Sequence, residues 1–169
     1  MIPNVSDIHT HNPDAVDAVI NLTPAMTMRP DALYSVGIHP WQLPDEETWQ
    51  WVERMALHSQ VVMIGECGID RLRSPLTIDR QEQWLLRHIA LSERVEKPLL
   101  LHIVRAYAEI LRIHRITGIH QPWIIHGFRG KIALATQLLA AGFHLSLAAN
   151  APTALLDIIP PDRLHRESD

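Results

Sequence analysis

Short apolar runs alternate along this chain with longer stretches in which apolar residues recur every third or fourth position. The runs "VSDIH" (5–9), "AVDAVINL" (15–22), "LYSVGIH" (33–39), "VVMIGE" (61–66), "KPLLLH" (97–102), "PWIIHG" (122–127) and "FHLSLA" (143–148) predict strands, with a weaker one in "RLHRESD" (163–169). Between them, "PDEETWQWVERMALH" (44–58) opens with an acidic turn after Pro44 and has Asp45 as an N-cap, the signature of a helix start. The segment 78–96 places Leu85, Leu86, Ile89 and Ala90 on one helical stripe, and "KIALATQLLAAG" (131–142) repeats the pattern up to a stop at Gly142.

Strand followed by helix, repeated, predicts a parallel α/β sheet, because parallel neighbours need a crossover and a helix usually supplies it. Eight candidate strands point to a barrel of the TIM (β/α) type. Such barrels usually run to ~250 residues; 169 residues therefore predict a compact or incomplete one, read as a single domain over 1–169. The saving falls in the first loops, since no helix-length segment separates the first three strands. Pro160 and Pro161 read as a turn before the last strand.

Composition narrows the picture without redirecting it. A hydrophobic fraction of 47% suits one packed core, and a net charge of −4 gives no basic footprint for nucleic acid, so contact with a polyanion would need a local site or bound cations. The single cysteine, Cys67, excludes an internal disulfide; its neighbours make it a small packing residue. The N-terminal residues "MIPNVSDIHT" lack the basic and apolar regions of a signal peptide, which points to the cytoplasm, and no apolar run is long enough to cross a bilayer. No protein partner is legible.

Eleven histidines gain meaning from their positions. In "DIHTH" strand alternation puts Asp7, His9 and His11 on one face, and two imidazoles on one face can grip one metal ion. Glu66, His102 and His126 each follow an apolar strand as its first ionisable group, at the carboxyl end where α/β barrels build their sites. The last strand offers Asp169. Four histidines and two carboxylates suffice for two divalent ions with one carboxylate bridging. His58, His88 and His114 fall on helices and read as surface residues, whereas His120 and His165 follow no usable pattern. Arg105 and Arg129, just past strand ends, are phosphate-contact candidates or simply surface arginines. The five tryptophans read as core and rim packing, with Trp41 bordering the cleft.

In order, "DIHTH", "VGIHPW", "IGECGID", "LLLH", "IIHGFRG" and "RESD" resemble the TatD-like metal-dependent deoxyribonucleases, a TIM-barrel branch of the amidohydrolase superfamily, over nearly the whole chain. The resemblance implies a phosphodiesterase acting on DNA or a smaller phosphate ester with two divalent ions, Mg, Mn or Zn. By it, His9 and His11 bind one ion, His102 and His126 the other, and Glu66 bridges. Asp169 binds metal and takes the proton of the attacking water, while His39 and Asp70 match positions near the substrate. The chain departs from the family in three places. It stops at Asp169, before the closing C-terminal helix; "RLHRESD" puts Arg163, His165 and Arg166 where the family is mostly apolar; and "HIVRA" carries its arginine one position late. Two other functions stay open: an amidohydrolase cleaving a C–N or C–O bond, though without a strand-end lysine to carbamylate, and a truncated relative that binds metal with little or no turnover.

Overall fold

The apolar runs become strands that pair side by side in sequence order. In the computed structural model, which describes residues 1–169, these are β1 (Asp7–Thr10), β2 (Ala18–Asn21), β3 (Leu33–Val36), β4 (Val61–Asp70), β5 (Leu99–Val104), β6 (Trp123–Ile125), β7 (His144–Ala148) and β8 (Leu164–Glu167). Every pairing is parallel and the order is β1 through β8. β8 comes back beside β1, where Ser168 donates its backbone N–H to Asp7 Oδ1 at 3.1 Å, so the sheet is a nearly closed barrel. The crossovers hold α1 (Glu46–Ala56), α2 (Ile78–Val95), α3 (Tyr107–Thr117), α4 (Ile132–Ala140) and the short α5 (Thr153–Leu156). As expected, no helix separates β1, β2 and β3, and a 3-10 turn at Pro161–Arg163 leads into β8. No helix is long and apolar enough to cross a membrane.

Alternation along the strands splits the apolar residues into two cores. Ile8, Val19, Met63, Leu100 and Ile124 pack together as one small cluster. Their strand neighbours Ile20, Ile64, Leu99, Leu101, Trp123 and Ile125 belong instead to the large cluster with the helix residues Trp49, Val52, Leu85, Ile89, Ile110, Ile113 and Leu138. The first set fills the barrel and the second seals sheet to helix, as period-2 side chains in a covered parallel sheet require. The helices begin and end where the sequence has caps. Asp45 accepts from Thr48 N at the start of α1, Thr77 accepts from Arg80 N at the start of α2, and Lys97 Nζ donates to the carbonyls of Ala56 and His58 just past α1.

Several expectations are revised. β4 does not stop at Glu66 but runs on to Asp70, with a register irregularity between Ile64 and Cys67 where it passes β5. His102 likewise lies inside β5. α3 is an addition to the predicted helices, and its fully buried face is narrow, only Ile110 and Ile113. His58 lies just beyond α1 and is exposed. His114 packs its ring against Trp123 and Phe143. His88 is the clearest reversal: it is 1% exposed, its Nδ1 donates to Trp84 O at 2.8 Å, and its Nε2 accepts from Ile38 N at 3.0 Å. A neutral imidazole thus fastens the turn after β3 to α2.

Burial holds the His88 pKa down at about 4, despite the hydrogen bond to Trp84. The unfolded chain binds that proton near pH 6.5, so His88 contributes stability that is complete above this value and is lost as the pH falls toward 4. His165, also lowered to about 4 by burial and by His144, acts in the same window. Between pH 7 and 4.5 the His88 contribution should cost about 2–3 kcal/mol of unfolding free energy. Urea titrations at the two pH values should show a visibly smaller loss for His88→Gln than for the parent chain.

Candidate metal centre

The carboxyl ends of the strands gather five imidazoles around one carboxylate. Glu66 is 2% exposed. His9 Nε2 lies 3.0 Å and His11 Nε2 3.2 Å from its Oε2. On the other oxygen, Oε1, His126 Nε2 stands at 2.7 Å, His102 Nδ1 at 3.2 Å and His39 Nε2 at 3.2 Å. Asp169 closes the first side, 3.4 Å from His11 Nε2 and 3.9 Å from His9 Nε2. The residues fall into overlapping sets: His9 and His126 with Glu66, His39 and His102 with Glu66, and His9 with His11 and Asp169.

Glycine makes this convergence possible. Gly65 and Gly68 flank the "GEC" segment with φ of 138° and 145°, and a Cβ on either would run into the backbone of β5, at the carbonyls of Leu100 and His102. β4 can therefore press against β5 and aim Glu66 into the barrel mouth while Cys67 turns into the core.

Burial alone would raise the Glu66 pKa, but hydrogen bonds from His102, His11, His126 and His39 overturn this and hold the carboxyl far below its usual range. The histidines respond in the opposite sense. Its hydrogen bond to Glu66 raises His11, and His126, although burial opposes it, is raised to about 10 by Glu167 and Glu66. A ring nitrogen that attracts a proton this strongly also attracts a cation.

A divalent ion fits this donor set. His9 is fully buried, yet neither of its ring nitrogens has a hydrogen-bond partner, Nε2 facing Glu66 at an angle that makes no bond. A buried orphan of that kind is rare unless something else occupies its lone pair. Ligands ~2.1 Å from one ion lie ~3–3.4 Å apart around it, and the His9–Glu66, His11–Glu66 and His11–Asp169 spacings of 3.0 to 3.4 Å match, with His9–Asp169 wider at 3.9 Å. His102 Nδ1 and His126 Nε2 are likewise 3.1 Å apart.

Two buried carboxylates stand behind the second pair, one in hydrogen-bond contact and one at ion-pair distance. Asp70 Oδ2 accepts from His102 Nε2 at 3.1 Å and from Trp41 Nε1 at 2.6 Å, and Asp70 Oδ1 accepts from the backbone N–H groups of Leu72 and Arg73. Against the effect of burial, these bonds hold Asp70 down at about 2. Glu167 Oε1 lies 3.7 Å from His126 Nδ1 and, despite burial, is held ionised by His126. Such carboxylate–histidine pairs fix which nitrogen is free for a metal.

Of the residues singled out in the sequence, His9, His11, His39, Glu66, His102, His126 and Asp169 thus come together, with Asp70 immediately behind. Asp7 does not join them: its Oδ1 accepts from His9 N and Ser168 N. Arg129 lines the cavity of about 460 Å³ over the centre, with His102, His126, Trp41 and Asp169. Arg105 does not; it follows the end of β5 in a left-handed backbone turn, φ 54°, that breaks the strand's alternation. Arg73 takes such a place instead, and neither it nor Glu167 was a candidate. Two residues from Asp169 along the chain, Glu167 is buried, with His126 as the opposite charge beside it. A slightly larger hollow, about 530 Å³, sits at the opposite ends of β1–β3 and gathers no imidazole.

A family model described as TatD related DNase matches residues 6–169. The chain belongs to this family. It is 30% identical over 150 residues to an uncharacterized metal-dependent hydrolase, YabD, of Bacillus subtilis, covering 82% of this chain and 59% of that one. To a 3'-5' ssDNA/RNA exonuclease TatD of Musicola paradisiaca it is 29% identical over 155 residues, covering 80% and 55%. The chain therefore spans little more than half the length of these relatives. In three dimensions it resembles YjjV, a TatD homolog from Escherichia coli, with a TM-score of 0.73 at 20% identity over 83% of this chain and 59% of that one, a likeness of fold.

If Glu167 orients His126, Glu167→Gln should weaken retention of a divalent ion about 10- to 100-fold in competition with a chelator. Unchanged retention in a folded variant would remove Glu167 from the site.

Proposed function

We propose that this chain is a metal-dependent phosphodiesterase acting on DNA, holding two divalent ions between its histidines. The observation that carries the reading is the single buried carboxylate, Glu66, with imidazole nitrogens on both oxygens. His9, His11 and Asp169 would hold one ion, His102 and His126 the other, with Glu66 shared between them and His39 beside the second. The relatives named metal-dependent hydrolase and ssDNA/RNA exonuclease support the same reading.

Bound divalent ions supply a lowered pKa for water and positive charge for the phosphate oxygens. The chain's own groups do the rest. Asp169, whose side chain is 31% exposed at the rim, would take the proton from the attacking water. Glu66, with imidazole nitrogens on both oxygens, would be taken up by the ions and leave that proton to Asp169. Arg129 and Arg73, on the cavity wall, add charge where a phosphate would sit, so a chain of net charge −4 needs no basic surface to receive a polyanion. Asp70 and Glu167 keep His102 and His126 from rotating as charge shifts.

Metal analysis and a nuclease assay on the same samples test this. The parent chain should carry two ions and degrade single-stranded DNA, and a chelator should abolish the activity. His126→Ala should lose one ion and at least ~100-fold in rate. Two ions retained in His126→Ala would break the assignment, and metal bound without any hydrolysis of DNA would break the function.

A further inference from the structure

We propose that Trp41 and Arg73 form a nucleobase subsite beside the metal centre, holding the nucleotide next to the reacting phosphate by stacking. The proposal rests on the phosphodiesterase reading above and deepens it.

Trp41 is the aromatic residue of the cavity wall, and it is 45% exposed although its indole is fixed. Its Nε1 donates to the buried Asp70 at 2.6 Å, and its ring stands steeply tilted against those of His39 and His102, at 74° and 79°, with centroid distances of 4.7 and 5.5 Å. The side chain has given up its rotamer freedom without being buried. That combination suits a plate for a planar ligand, since the ordering cost is met before binding. The face already accepts one planar group: the Arg73 guanidinium lies over the indole, 4.9 Å from the ring centroid. Bases stack on aromatic and guanidinium planes in proteins that bind single strands, with little regard to base identity.

The same carboxylate sets the plate against the reacting centre. Asp70 holds the His102 ring, the Trp41 indole and the backbone N–H groups of Leu72 and Arg73, so metal ligand, plate and the arginine's turn share one anchor. In the complex the base takes the indole face, and the displaced guanidinium turns to a phosphate oxygen as a charged donor. A paired base has its faces covered by its neighbours in the duplex, so the subsite favours an unpaired nucleotide.

The test compares the dinucleotide dTpdT with an analogue whose two bases are replaced by hydrogen. For the parent enzyme with metal, kcat/KM should favour dTpdT by at least about tenfold, the effect expected of one stacked base. In Trp41→Ala this ratio should collapse toward one whatever happens to the absolute rate, and in Trp41→Phe, which keeps an aromatic face, most of it should remain. A parent ratio near one, or a ratio unchanged in Trp41→Ala, overturns the subsite. If the parent hydrolyses neither compound, the phosphodiesterase reading fails, and equilibrium binding decides the subsite separately. Thymidine monophosphate should then bind the metal-loaded protein at least about tenfold tighter than deoxyribose 5-phosphate, a difference lost in Trp41→Ala; equal binding would dismiss the subsite.

Discussion

A negative charge buried at the mouth of the barrel governs this molecule. Glu66 is almost sealed from solvent, and removing a carboxylate from water costs several kcal/mol unless opposite charge and hydrogen bonds replace the water. The chain answers from several strands at once: β1 and the residue after it, the loop after β3, β5, and the residue after β6 each send an imidazole to it. Five imidazoles around two oxygens is more than a carboxylate needs for solvation. Protonating all five would crowd like charges together, and leaving them neutral would aim lone pairs at lone pairs. Cations between the rings would resolve both conflicts, so the cluster suits metal ions better than it suits a hydrogen-bond network alone.

The tautomers follow from what stands behind each ring. Asp70 accepts from His102 Nε2, so a cation that took the place of the Glu66 bond would meet Nδ1, whereas Glu167 stands 3.7 Å behind His126 Nδ1, so that a cation would meet Nε2. The two rings therefore present opposite nitrogens, and these are the atoms that stand 3.1 Å apart. A substitution at either carboxylate leaves the ligand in the chain but frees its ring to turn or to take up the proton on the wrong side.

Much of this architecture is legible in the order of residues. The strands were marked by β-branched and leucine-rich runs, and the absence of helices among β1, β2 and β3 follows from a short first connection and from Pro24 and Pro30, which interrupt the second. What escaped notice depends on long-range partners. His88 shares its helix face with Leu85 and Ser92 and reads as exposed from its residue type alone, but its partner is the loop that β3 delivers to it. Glu66 was read as a strand end because "GEC" resembles a turn; the two glycines instead let β4 continue close against β5. Glu167 and Arg73 carry no local mark, since their roles exist only once β6 and the turn after β4 have been placed.

The residue that opens "DIHTH" illustrates how a motif divides its labour. Asp7 faces away from the metal ligands, yet it receives three hydrogen bonds that bear on them. His9 N donates to it from its own strand, and Ser168 donates both its backbone N–H and its hydroxyl, the latter at 2.5 Å. Parallel β1 and β8 share no ladder, so these bonds, with Ser168 Oγ accepting from the Thr10 hydroxyl, fasten the last strand to the first. Asp169 follows Ser168 directly. Its distance from His9 and His11 is therefore set by an aspartate two residues ahead of the first histidine, and the barrel's seam and its metal centre are the same few bonds.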